Sequence, residues 1–249
     1  MDPDGMRRYH QRRYRGENCC LSLAGNLRED LISHALSGPL ARLERVTDSE
    51  LNIESRPALT FRRGRESRRF PRLEAARLMM VWPVASADDQ LAVAGADLAT
   101  TILAEGRRSR LVQTLREELQ IVESIDMDVT TLELGSLVML EACCPDDQIE
   151  SVEMEIHRQL EQCLTSAIEE EEFNRAMQLV GNGHRFSLEA PGAVAASAGS
   201  QTLWGRQRDL LAPLQDLIHW DRTALRERVM PLLQPRNSFT LIARSEDSA

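Results

Sequence analysis

Five histidines, five cysteines and a run of four glutamates are the residues here whose types could do chemistry. Two histidines four apart share one helix face and can bind zinc, with a glutamate between them to activate a water. His10, His34, His157, His184 and His219 each stand alone, with no second histidine within five residues, so the sequence holds no short chelate of this kind. Cys19, Cys20, Cys143, Cys144 and Cys163 contain no C-x-x-C spacing. The two adjacent pairs lie in strand-like runs, where neighbouring side chains point to opposite faces, so neither makes a natural chelate or an easy local disulfide. An odd set of thiols placed this way predicts reduced, mostly buried cysteines in a reducing compartment, and so a cytoplasmic location. His157 and Cys163 fall on different faces of one predicted helix and do not form a base–nucleophile pair. Glu169–Glu172 reads as the solvated first turn of a helix, favoured by the helix dipole, rather than as an acid/base cluster. All 30 basic residues are arginine, which excludes a P-loop lysine or a Schiff base. The reading predicts no catalytic residue and no metal ligand in this chain.

One segment carries more information than the scattered candidates. Gly106–Ile125, GRRSRLVQTLREELQIVESI, reads as a loop, an amphipathic helix and the start of a strand. Gly106 is a joint, and Ser109 is a good N-cap because its hydroxyl can accept from a free N–H of the first turn. Leu111, Leu115 and Leu119 recur every four residues and mark one buried face. Ile121 and Ile125 fall on one side of the strand. Arg116 lies off the leucine face, and its planar fork suits a peptide carbonyl or a carboxylate.

The elements that must position this segment follow from the rest of the chain. At 249 residues and 42% hydrophobic content the core is substantial, with roughly 70–75% of the unfolded surface buried at this size. With 4% aromatics the core should be Leu/Val/Ala/Met-based. No apolar run approaches the ~18–20 residues of a membrane span, and the N-terminus lacks an apolar signal region. A net charge of −9 argues against a nucleic-acid binder. Arg56–Arg77 nevertheless holds eight arginines against Glu66 and Glu74. It reads as a basic linker, with a site for RNA or an acidic partner as the alternative; only Phe61 and Phe70 could stack on a base.

The pattern predicts a helix over Pro3–Tyr14, a turn, a strand over Cys19–Ala24, and helices at Arg28–Leu36 and Pro39–Leu43. An Arg-rich linker follows over residues 46–71. Residues 72–249 then carry strands at Arg77–Pro83, Leu134–Cys144 and Asn237–Ala243. Helices are predicted at Asp88–Leu103, from Ile149 through Cys163, at Glu169–Phe186, Ala193–Trp204, Leu210–Leu217 and Thr223–Leu233, with His184 at a helix interruption. Paired strands and runs of helices make this an α+β chain rather than a regular β-α-β alternation.

As a string, Gly106–Ile125 resembles the signature of the second, non-zinc half of the M16 (insulinase or mitochondrial processing peptidase-like) metallopeptidases, approximately G-x-x-SRL-x-x-x-LRE-x-x-G-x-x-YS. The serine, both arginines and the leucines are present, with Gln120 at the glycine position and Glu123 at the tyrosine position. IEEEEFNRAMQLV and VMPLLQPRNSFTLIA are similar to later family motifs. MRRYHQRRYRGENCCLSLAGNL resembles F-H-x-x-x-Y-x-P-x-N-x-x-L-x-V-x-G-D/N, which closes the zinc-bearing half. The resemblance implies a LuxS/MPP-like metallohydrolase fold, an antiparallel sheet with helices packed on one side. Residues 1–45 would be a remnant of the zinc-bearing domain and 72–249 the inactive second-half domain. It places H-x-x-E-H on a partner or an upstream half, so zinc is expected there and no cofactor in this chain.

In active members the second half supplies an arginine and a tyrosine seven apart that hold the peptide. Arg116 matches the arginine, and Glu123, in place of the tyrosine, could pair with it. The chain is therefore expected to be a pseudo-peptidase subunit, or a fragment of a two-half peptidase, forming one wall of a peptide-holding chamber. Its expected partners are a zinc-bearing half or a second copy and an unfolded peptide, with no nucleic acid and no membrane. The alternatives are a scaffold subunit like the core proteins of respiratory complexes, or a module binding an acidic partner through the arginine-rich stretch.

Overall fold

The computed structural model describes residues 2–43 and 59–246. Its contacts divide the chain into two compact units, Met1–Arg56 with Gly183–Ala212, and Pro57–Asn182 with Pro213–Ala249.

The second unit is built on a five-stranded sheet. Its strands are β1 (Gly64–Phe70), β2 (Ala76–Val84), β3 (Ser124–Thr130), β4 (Ser136–Cys144) and β5 (Phe239–Ser245), in the order β1-β5-β2-β4-β3. β2 is antiparallel to both β4 and β5, and β3 to β4. β1 runs parallel to β5, so the sheet is mixed at that edge. Alternation sets its faces: Leu78, Met80 and Trp82 of β2 and Val138, Leu140 and Ala142 of β4 are buried, because residues two apart share one face of a strand. Helices of the unit cover that face. α3 (Gln90–Ala104) starts at Asp89, whose carboxylate accepts from the Ala92 N–H at 3.0 Å. α4 (Ile149–Thr165) turns Ile149, Val152, Ile156, Leu160 and Cys163 inward. Trp82 Nε1 donates to the Gln234 carbonyl at 2.9 Å, and Gln234 Nε2 donates to Leu160 O at 2.9 Å. These bonds satisfy the buried Trp82 and Gln234 donors. α5 (Glu170–Ser187), α7 (Ala212–Ile218) and α8 (Arg222–Arg228) follow.

The α+β class stands, and several local expectations change. Residues 64–70, read as part of a linker, form β1. Its sequence, GRESRRF, offers no apolar alternation, but an edge strand can carry charge on both faces. The parallel ladder to β5 and the Arg65–Glu153 fork, at 2.8 and 2.9 Å, hold it. Linker residues 46–58 lie outside the described residues. Cys19–Ala24 has no regular secondary structure and, among the described residues, joins no strand; Cys19 and Cys20 are exposed, while Cys143, Cys144 and Cys163 are buried as expected. His184 lies inside an uninterrupted α5. Residues 229–233 form turns rather than continuing α8.

The first unit carries α1 (Pro3–Arg13), α2 (Glu29–Ser37) and α6 (Pro191–Leu203). Asp2 caps α1, Pro3 opens it, and Arg12 and Arg13 close it on the favourable side of the dipole. None of α1, α2 and α6 buries a residue.

Candidate functional site

Gly106 has φ +80°, a backbone conformation only glycine adopts without strain. It turns the chain from α3 into the signature segment. Ser109 sits at the entry, fully buried, but its hydroxyl donates to the Gly106 carbonyl at 2.7 Å instead of accepting from the first turn. It closes the loop rather than capping the helix.

The helix itself is not α. Val112–Glu118 is a π-helix, with the Leu119 N–H bonded to Thr114 O, five residues back, at 2.9 Å. The wider turn explains why the four-residue leucine pattern fails at its end. Leu111 and Leu115 are fully buried, whereas Leu119 is rotated out and 50% exposed. Ile121 N–H reaches Leu115 O at 3.0 Å, and Gln120 lies between them at φ +54°. That left-handed position is where the family pattern carries glycine. The strand accordingly starts at Ser124, three residues later than Ile121, and Ile125 is its first buried residue.

Arg110 and Arg116 have opposite surroundings. Arg110 forks onto Glu172 at 2.7 and 2.8 Å and donates to Cys163 Sγ at 3.3 Å and Ala167 O at 3.2 Å. The pair is largely buried, and the bond to Glu172 holds the guanidinium firmly in its charged form. Burial pushes the Cys163 thiol up, opposed by the Arg110 charge. Arg110 therefore ties the start of the π-helix to α4 and to the first turn of α5, and so gives the Glu169–Glu172 run a structural job. Arg116 is half-exposed, and its Nε and Nη2 share one oxygen of the adjacent Glu117 at 2.9 and 2.7 Å. That bond holds the Glu117 carboxyl below the usual carboxylate range. Beside it, a cleft of about 600 Å³ is lined by Arg107, Arg108, Arg110, Arg175, Gln113, Glu117, Glu169, Glu171 and Glu172. Four arginines face four glutamates there, so the cleft is polar but balanced in charge.

Glu123 does not pair with Arg116. Its N–H bonds to Cys143 O at 2.8 Å, and its carboxylate lies 3.6 Å from Cys143 Sγ. It thus belongs to the end of the sheet, next to the Arg77–Glu141 ion pair. Burial and Glu123 together push the Cys143 thiol up. The seven-residue spacing presumes a regular helix running into a strand, and the π-turns with the Gln120 bend redirect the chain between the two residues. Gln120 at a glycine position was the one visible signal of that bend.

Among the described residues, no three His, Cys, Asp or Glu side chains gather where they could hold a metal ion. The residues described here do not fit the zinc site of active M16 peptidases. No helix among them is long and apolar enough to cross a membrane.

The chain thus combines a helix-covered, mainly antiparallel sheet with a π-helical arginine segment. Its fold is that of a protease from Helicobacter pylori, with a TM-score of 0.71, 14% identity, and 89% of this chain and 54% of that one covered. A chain of complex III from Candida albicans gives a TM-score of 0.69 at 18% identity, covering 88% of this chain and 53% of that one. A peptidase M16 inactive domain from Pseudomonas fluorescens gives 0.64 at 14% identity, with 73% and 43% covered. The chain spans about half the length of these structures. No curated protein matches the sequence. The family model described as the peptidase M16 inactive domain matches residues 1–180, and the chain belongs to that family.

Proposed function

We propose that this chain is the non-catalytic side of an M16 peptide-holding chamber, working with a zinc-bearing half that supplies the hydrolytic chemistry. The observation that supports the reading most is the π-helix carrying Arg116. A seven-residue run of π-turns is rare, and such turns concentrate at functional sites. Here they leave the guanidinium at the surface, tied among the described residues to a neighbouring carboxylate that a peptide carbonyl or C-terminal carboxylate could displace. Arg116 would orient an unfolded peptide, without Glu123 as its companion. The test is cleavage of a quenched unstructured peptide by the chain alone, by a zinc-bearing M16 half alone, and by the mixture. Cleavage only in the mixture, reduced by Arg116→Ala, is the expected result. Cleavage by this chain alone would overturn the proposal.

The likeness to a complex III chain supports a second reading, a scaffold subunit. It predicts a stable complex with a partner and no change in cleavage on mixing.

A further inference from the structure

The strand registers map the face of the sheet turned away from the helices. Residues paired across a ladder share a face, and so do residues two apart on one strand. Leu78, Met80 and Trp82 of β2 are buried in the core, so Met79, Val81 and Pro83 point the other way. On β5 their partners are Leu241 for Met79 and Phe239 for Val81. On β4 they are Glu141, Met139 and Leu137 in turn. β3 then adds Asp126 opposite Glu141 and Asp128 opposite Met139. The outward face therefore carries an apolar band over β5, β2 and β4, with an acidic border along β3.

The band is not a second core. Met79, Val81, Leu137, Met139, Phe239 and Leu241 are each partly exposed, and none belongs to the core cluster or packs against it. A sheet with one face in water ordinarily alternates apolar-in with polar-out, and the three interior strands break that rule together. A contiguous apolar surface with a polar rim marks an interaction site. The rim carries uncompensated negative charge. Glu141 is paired with Arg77, but Asp126 and Asp128 are exposed and form no ion pair among the described residues. Burial and the charges of Glu141 and Asp128 push the Asp126 carboxyl up, a crowding of like charge that a cation relieves.

β5, β2 and β4 each have a neighbour on both sides, so their backbone groups are spent inside the sheet. An extended segment pressed flat on them would bury its own N–H and C=O groups unpaired, whereas a helix satisfies its own. Three strands make a band about 10 Å wide, and Pro83 to Met79 spans about 14 Å along it. One helix is about 10 Å thick and covers that length in two to three turns. We infer that this face binds a cationic amphipathic helical segment of a peptide, its apolar stripe on the band and a lysine or arginine at Asp126 and Asp128, and that these two aspartates select the peptide by charge. A peptide as the occupant rests on the chamber reading; the band and its border supply the chemistry of selection.

The test titrates the full chain into a labelled peptide of ~12 residues with leucines at i, i+3, i+4 and i+7 and two lysines on one flank. The same peptide with glutamates for the lysines is the control. Fluorescence anisotropy should show the lysine peptide binding at least tenfold tighter. Asp126→Asn with Asp128→Asn should remove that preference and leave the thermal midpoint unmoved, and Met139→Gln should weaken both peptides. Methyl resonances of Met79 and Met139 should shift on binding while that of the buried Met80 stays. No binding, equal affinity for the two peptides, a preference that survives the double change, or a face occupied by a second copy in sedimentation would overturn the inference. Charge-selective binding without cleavage on mixing with a zinc-bearing half would retain the face and remove the chamber reading. Cleavage in the mixture that depends on Arg116 but ignores peptide charge and both aspartates would do the reverse.

Discussion

Arg110 and Arg116 stand on the same short helix and share a residue type, yet one is a strut and the other a free end. Arg110 spends its donors on Glu172, Cys163 and Ala167, which belong to three distinct parts of the fold, and is largely buried. Arg116 has an adjacent carboxylate and solvent. The difference comes from where each side chain leaves the segment, Arg110 just ahead of the π-helix and Arg116 within it, not from chemistry. It teaches that a motif arginine can be a structural tie or stay accessible at the surface according to what the surrounding elements bring within reach of its fork.

The largest expected effect breaks the strut. Arg110→Ala leaves Glu172 buried without its partner and should cost about 2–3 kcal/mol, below the ~3–5 of fully enclosed pairs because some solvent reaches this one. Urea denaturation measures it, and a double change, Arg110→Met with Glu172→Leu, should recover much of the loss. At the other end, Arg116→Ala should leave the thermal midpoint unmoved and lower mixed-half peptide cleavage about tenfold, or about 1.4 kcal/mol. A loss of stability as large as that of Arg110→Ala would erase the contrast.

A smaller effect of opposite sign is expected between them. Gln120→Gly relieves the left-handed backbone and should stabilise by about 0.5–1 kcal/mol, readable as a raised thermal midpoint. The smallest effect concerns the thiols. Burial raises Cys163, and pushes Cys144 up from its ordinary 9.0 to about 12. Each is held protonated in the fold, so its contribution is complete below pH 9 and fades as pH rises above it, for Cys144 toward 12. Thermal midpoints in reducing buffer between pH 8 and 11 should fall, and Cys144→Ala should flatten the decline. In Arg110→Ala the Cys163 thiol should rise further, having lost its nearby cation.

Much of the fold was legible because its signals were local. The 3.6-residue spacing of Ile149, Val152, Ile156 and Leu160 names a helix and its buried face. The alternation in RLMMVWP names β2 and its inner side. β1 was illegible because an arginine-rich edge strand carries no apolar period, and its pairing with β5 joins residues distant in sequence. The reverse error occurred at Cys19–Ala24, whose sequence is that of a strand without a sheet to join among the described residues. At the site, a four-residue leucine repeat fits an α-helix and the first part of a π-helix equally well. The choice appears only at Leu119 and Gln120.

By itself, then, the sequence determined the class of fold, the M16 likeness, and the presence of two arginines in one signature, because these depend on residue types at short spacing. Tertiary structure alone decided which arginine is a strut, that Glu123 answers to Cys143 rather than to Arg116, and that β1 completes the sheet edge. Each of those outcomes turns on a residue brought close from far along the chain, or on a backbone turn that only packing selects.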